Sequence, residues 1–228
     1  MRNLKTYETY LNESRSAYDG IASKLTSMIF QTWIKGWNGK KTKIPFTFAV
    51  EENISFDIDA TLYISKKYDG FTVIESTGAD SRDYDDEDYE QTPFIIIDFG
   101  INPEWLPGYW QEIYMHLSDV MRHEIEHITQ GGRDIGNYRA GKPEEDDELT
   151  RGLIAQGLLP KSMYLMLPKE IDANLQGLRY EAKKRKESFK ETIDRYLETQ
   201  NYLTDKDREE VLNVWRRRAK EIGGIPSF

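Results

Sequence analysis

The sequence contains no cysteine. That absence removes disulfide scaffolds, thiolate zinc sites, CxxC redox chemistry and any cysteine nucleophile, and it is compatible with a reducing compartment. Histidine is nearly as scarce, with 3 in 228 residues. No uninterrupted apolar run reaches the ~18–20 residues that a membrane span requires. The opening Met1-Arg2-Asn3-Leu4-Lys5-Thr6 lacks the apolar core and small-residue cleavage site of a secretory signal. The expectation is a soluble, cytoplasmic protein with no membrane partner. Positive charge is also in deficit, since 31 Lys and Arg stand against 40 Asp and Glu, a formal charge of −9. Nonspecific affinity for a phosphate backbone comes from clustered Lys and Arg that release counterions, so nucleic acid is not an expected partner.

What is present describes a folded chain. Charged residues make up 31% and aromatics 12%, and the aromatics supply the core volume that disordered chains lack. At about 150 residues per domain the length suits one large domain or two small ones. The sequence reads as a single domain over 1–228, with a helix and sheet part in 1–108 and a helical part in 109–228. No internal repeat is visible.

From Ser14 to Gly36, Tyr18, Ile21, Leu25, Met28, Ile29 and Trp33 recur at steps of three and four, the stripe of an amphipathic helix. Ile44–Val50 has the content of a strand, and Ile54, Phe56, Ile58, Ala60, Leu62 and Ile64 alternate with polar or small neighbours as a half-buried strand does. Asp69-Gly70 then predicts a tight turn into Phe71–Glu75, and so a hairpin between those two strands. Residues 80–90 hold seven acidic groups and read as a solvated hairpin tip. A calcium loop through Asp83, Asp85 and Glu87 is the alternative, but Asp88 stands where the EF-hand turn needs glycine. Pro93–Phe99 is the most strand-like segment.

The second half changes character. Tyr109 to Gln130 has helical spacing and ends at Gly131-Gly132. Residues 133–168 are loop-rich with a short helical candidate at 148–158. Helix resumes after Pro168, running from Lys169 to about Leu197, and Thr204-Asp205-Lys206-Asp207 caps a last helix that reaches Ile222. Helix, then sheet, then helices defines an α+β class with a mainly antiparallel sheet.

All three histidines, His116, His123 and His127, fall in the helix at 109–130, and the last two frame His123-Glu124-Ile125-Glu126-His127, an HExxH motif. Residues four apart on an α-helix rise ~6 Å and turn only ~40°, so both imidazoles project toward one point and can share a metal ion. Glu124, rotated ~100° from His123, is badly placed as a ligand but can reach a water on the metal, which makes it the general-base candidate. Ile125 should face the core, and Glu126 is a solvated or supporting group. His116 lies ~10 Å along the axis from His123 and ~16 Å from His127, too far for one ion to bind all three. It reads equally as a cleft residue or an ordinary helix histidine. A catalytic zinc site needs a third protein ligand. The metzincin extension fails because position 133 is arginine, so that ligand must come from another element, and Pro168–Asn174 is the candidate segment.

His123-Glu124-Ile125-Glu126-His127-Ile128-Thr129-Gln130 followed by Pro168-Lys169-Glu170-Ile171-Asp172-Ala173 is HExxH with Glu-x-x-Ala on a later helix. This resembles the gluzincin branch of the zincin metallopeptidases, and in particular small gluzincin-like domains common in phage and bacterial genomes. The match covers residues 113–184. The resemblance implies a zincin-like fold, a zinc ion (Zn2+), and Glu170 as third ligand beside His123 and His127, with Ala173 the small residue at the helix approach and Asp172 the fallback ligand. It implies a sheet above the catalytic helix whose edge strand binds a peptide or protein substrate by β-augmentation. Residues 93–101 are the edge-strand candidate, with an interior strand the equal alternative. Tyr164, Arg179, Tyr180 and His116 are the candidate oxyanion donors.

The activity expected from these residues is hydrolysis of peptide bonds by metal-activated water with Glu124 as general base. A zincin fold kept as a weakly active or inactive binding module, for example in a phage particle, is one alternative, and hydrolysis of a non-peptide amide is another. The basic runs Lys183–Lys186 and Arg216–Arg218 are interleaved with Glu181, Glu187, Glu191, Glu209 and Glu210, which favours solvated helix faces over a nucleic-acid surface.

Overall fold

Phe56, Ile58, Ala60, Leu62 and Ile64 are buried and Ser55, Asp57 and Asp59 exposed, so the period of two becomes strand β2 (Ser55–Ile64) in the computed structural model of the protein. The structure describes residues 2–51, 54–69, 71–79, 93–106, 108–129, 143–222 and 224–228, with backbone alone for 2–16, 71, 74–79 and 143–148. Gly70 of the expected turn, the acidic run 80–90 with its calcium-loop alternative, and the Gly131-Gly132 stop lie outside the described residues. The described chain is mixed α+β and divides into two compact units, residues 20–129 and residues 1–19 with 130–228. Among the described residues no helix is long and apolar enough to cross a membrane.

The 20–129 unit is built on four strands, β1 (Lys43–Glu51), β2, β3 (Phe71–Ala79) and β4 (Pro93–Ile101), in the order β1-β2-β4-β3. Both β1 with β2 and β3 with β4 are antiparallel, whereas β2 and β4 are parallel, with Ile58 opposite Ile95. The sheet is therefore mixed. One expectation is corrected by this order. The strands β2 and β3 do not form a hairpin, because β4 lies between them. The cause is visible just after β2, where Ser65 N–H donates to the Ile101 carbonyl at 3.0 Å and Asn102 Nδ2 donates to the Tyr68 carbonyl at 3.1 Å. The Tyr68 ring lies against Gly100, where an added Cβ would come within 2.4 Å of it, so only glycine admits the ring. The chain is thus pinned across the C-terminal end of β4 and emerges on its far side. The order also decides between the two readings of residues 93–101, which form an interior strand, and the edges of the described sheet are β1 and β3. Ile95, Ile97, Phe99 and Ile101 are all fully buried, a content suited to the middle of a sheet.

Helix α1 (Arg2–Gly36) begins earlier than the stripe from Ser14 suggests, and it closes on the sheet through its buried Ile21, Leu25, Ile29 and Trp33. Trp33 meets Phe99 with ring centroids 5.5 Å apart. Helix α2 (Trp110–Thr129) buries Ile113, Leu117, Met121, Ile125 and Ile128 along one stripe, and Phe30 of α1 packs edge-on against its Trp110 and Tyr114.

The other unit is helical: α3 (Pro143–Ala155), a 3-10 turn (Lys161–Met166), α4 (Pro168–Arg185), α5 (Phe189–Thr199) and α6 (Asp205–Ile222). Ile171, Leu175, Leu178, Ile193, Leu197, Val211 and Trp215 form its core, and Trp215 Nε1 donates to the Leu165 carbonyl at 2.7 Å. The single helix expected from Lys169 to Leu197 is two helices. Lys186 takes a left-handed backbone (φ 59°), and Ser188 starts α5 with a capping box in which its hydroxyl accepts from Glu191 N–H while Glu191 accepts from Ser188 N–H. The break turns α5 back so that Phe189, Ile193 and Leu197 join the core of α4.

Candidate metal centre

Because α2 buries the stripe through Ile113, Leu117, Met121 and Ile125, the flanking turn that bears the two motif histidines is left half-buried. His123 and His127 converge as the four-residue spacing requires, with Nε2 atoms 3.0 Å apart and ring centroids 4.7 Å apart. Tetrahedral zinc with bonds of 2.0–2.1 Å sets two nitrogen ligands about 3.3 Å apart, so the pair needs almost no adjustment to share an ion. Ile125 is fully buried, as expected. Glu126 pairs with Arg122 at 2.8 Å, and Arg122 has no exposed surface. Glu124 is 2% exposed and its Oε1 lies 4.0 Å from His123 Nε2. That is beyond a hydrogen bond but beside the atom that would face a metal. His116 is half-buried one helical turn and more upstream.

Glu170 stands in the first turn of α4, where Pro168 opens the helix and unpaired backbone N–H groups favour a carboxylate. It is 2% exposed. Its Oε1 accepts from Arg151 Nη2 of α3 at 2.6 Å, and the Arg151 guanidinium lies 4.9 Å from the centre of the Tyr164 ring. Burial and the neighbouring Glu170 charge push the Tyr164 hydroxyl up to about 12. Ala173 is fully buried.

Asp172, two residues on, points to the other side of α4, and both of its oxygens accept from Arg218 of α6, at 2.7 and 2.6 Å. Arg179 donates to Asp19 at 2.7 Å and to Gln176 at 3.1 Å, and Tyr180 is buried. Tyr164, one of the candidate donors, touches Arg151 of the Glu170 pair.

His123 and His127 of α2 and Glu170 of α4 each offer one atom that could ligate a metal ion. Two imidazole nitrogens and a carboxylate oxygen are a donor set suited to zinc and related first-row ions. Neither Arg151 nor Arg122 was singled out from the sequence. Arg122 adjoins the motif, which was a usable signal; Arg151 is 19 residues from its partner, and nothing in the local pattern marks it. Comparison with family models, curated proteins and solved structures returned no match for this chain.

Proposed function

We propose that the protein is a zinc-dependent metallopeptidase of the zincin type, with His123, His127 and Glu170 as metal ligands and Glu124 as general base. The observation that carries this reading is the paired geometry on α2: two Nε2 atoms 3.0 Å apart with the Glu124 carboxylate 4.0 Å from one of them. A zinc ion held by that donor set supplies water of lowered pKa and a Lewis acid for a carbonyl oxygen.

The remaining work falls to the chain. His123 and His127 present imidazole nitrogens, held in direction by the helix. Glu124 takes the proton from the water that adds to the amide carbon, and gives it to the nitrogen as the C–N bond breaks, leaving an acid and an amine. Its near-complete burial keeps bulk water from competing for that proton. With β4 interior, an extended peptide that adds to the sheet must pair with β1 or β3.

The test is metal analysis together with cleavage of a peptide library by the wild type, Glu124→Gln and Glu170→Ala. One zinc per chain is expected in the wild type. Glu124→Gln should keep the metal and lose about 10²- to 10⁴-fold in activity. Glu170→Ala should lose the metal. Stoichiometric zinc in Glu170→Ala overturns the ligand assignment, and full activity in Glu124→Gln overturns the base. Bound zinc without cleavage of any peptide would make the chain a binding module or an amidohydrolase of another substrate class.

A further inference from the structure

Glu170 is 2% exposed, and a buried carboxylate without a partner is strongly disfavoured. Arg151 meets that need in a particular way. One guanidinium nitrogen takes Oε1 at 2.6 Å, and the planar head rests 4.9 Å from the centre of the Tyr164 ring, which limits how the arginine can turn. The Asn174 side-chain amide donates to the Glu170 carbonyl at 2.7 Å and steadies the same turn of α4. Arg151 therefore restrains the side chain of Glu170 through Oε1, which narrows the directions its carboxylate can take.

Building on the ligand assignment above, we infer that Arg151, seated on Tyr164, is a positioning residue that orients Glu170 as a metal ligand before any metal is bound. Partners of this kind orient ligands, and their loss typically weakens metal binding 10- to 100-fold. The opposite possibility is also physical: a cation 2.6 Å from the carboxylate competes with a metal for its charge, so removing it would tighten binding.

Metal binding to the apo protein separates these. Zinc affinity by competition with a chromophoric chelator, and the visible spectrum of the cobalt(II) form, would be measured for the wild type, Arg151→Met, Arg151→Lys, Glu170→Ala and His123→Ala. Apo melting temperatures would be recorded beside them. Arg151→Met should bind zinc at least 10-fold more weakly with an altered cobalt spectrum. Arg151→Lys, which keeps the charge and loses the planar head, should fall between Met and wild type. If Arg151→Met fails to fold, Arg151→Lys carries the test, with weaker binding and a shifted spectrum expected. Zinc affinity within twofold of wild type, or tighter, in the folded Arg151 variants overturns the positioning role. If binding is nevertheless abolished in His123→Ala and Glu170→Ala, the ligand set stands without it. A wild type that binds no stoichiometric zinc overturns both.

Discussion

The two units show different contacts around the elements that carry the candidate ligands. In the 20–129 unit the interior strand β4 and helix α2 are oriented by apolar stripes, with Ile95, Ile97, Phe99 and Ile101 on one and Ile113, Leu117, Met121 and Ile125 on the other. In the helical unit α4 carries carboxylates that meet arginines of three other helices: Glu170 with Arg151 of α3, Asp172 with Arg218 of α6, and Glu181 with Arg195 of α5 as well as with Arg185 of α4 itself. Apolar contact is undirected, so it sets which face of an element turns inward. Arginine–carboxylate pairs are directional and set the rotation of a helix to within a side-chain geometry. The difference teaches that the histidine pair is aimed by helix spacing on a hydrophobically seated helix, whereas Glu170 is aimed by the charged partners of α4.

The largest test of this contrast is Phe99→Ala. Phe99 is fully buried against Trp33, and its truncation should cost about 3–5 kcal/mol, measured by urea unfolding. A loss below about 1 kcal/mol would show that the sheet core is not what organises the unit. Next comes the double substitution Arg185→Met with Arg195→Met, which leaves the buried Glu181 without its cations. It should destabilise by about 2–3 kcal/mol, below the range for a fully buried pair because Arg195 is partly solvated. A neutral or stabilising result would mean that the pairs select geometry and add no stability. Arg218→Met should cost about 1 kcal/mol, since Arg218 is about one-third exposed, and the loss should shrink in high salt.

The smallest effect concerns pH. Ser188 holds the Glu191 carboxyl, and Thr204 holds that of Asp207, below their ordinary values of 4.5 and 3.8 through capping hydrogen bonds. A carboxylate whose folded pKa is depressed contributes stability that is present above the unfolded value and lost as pH falls through the folded one. Helix α5 should therefore loosen at its N-terminus below about pH 4.5, and α6 below about pH 3.8. Ser188→Ala and Thr204→Ala should each flatten part of that acid limb, and a thermal melt series from pH 6 to pH 3 checks it. Unchanged acid limbs would remove the capping boxes from the account.

Much of this was legible in advance. The period of two in β2, the helical stripe of α1, the HExxH turn and the cap of α6 at Thr204 each depend on neighbours within a few residues, and all appear where the spacing placed them. The failures share a cause. The β2–β3 hairpin was inferred from a turn dipeptide, but the Ser65 and Tyr68 contacts with Ile101, Gly100 and Asn102 carry the chain across β4 instead. The break between α4 and α5 occurs in a stretch rich in helix formers, where the gain is burial of Phe189, Ile193 and Leu197 against α4.

The sequence by itself determined the convergence of His123 and His127 and the seat of Glu124 beside them, because both follow from helical rise and rotation per residue. It also determined the apolar content of β4, though not its neighbours. Only the tertiary structure decided that β4 is interior, that Asp172 is engaged by Arg218, and that Glu170 is held by Arg151. Those outcomes depend on groups 19 to 46 residues apart in the chain, brought together by loops and packing whose geometry no local pattern encodes.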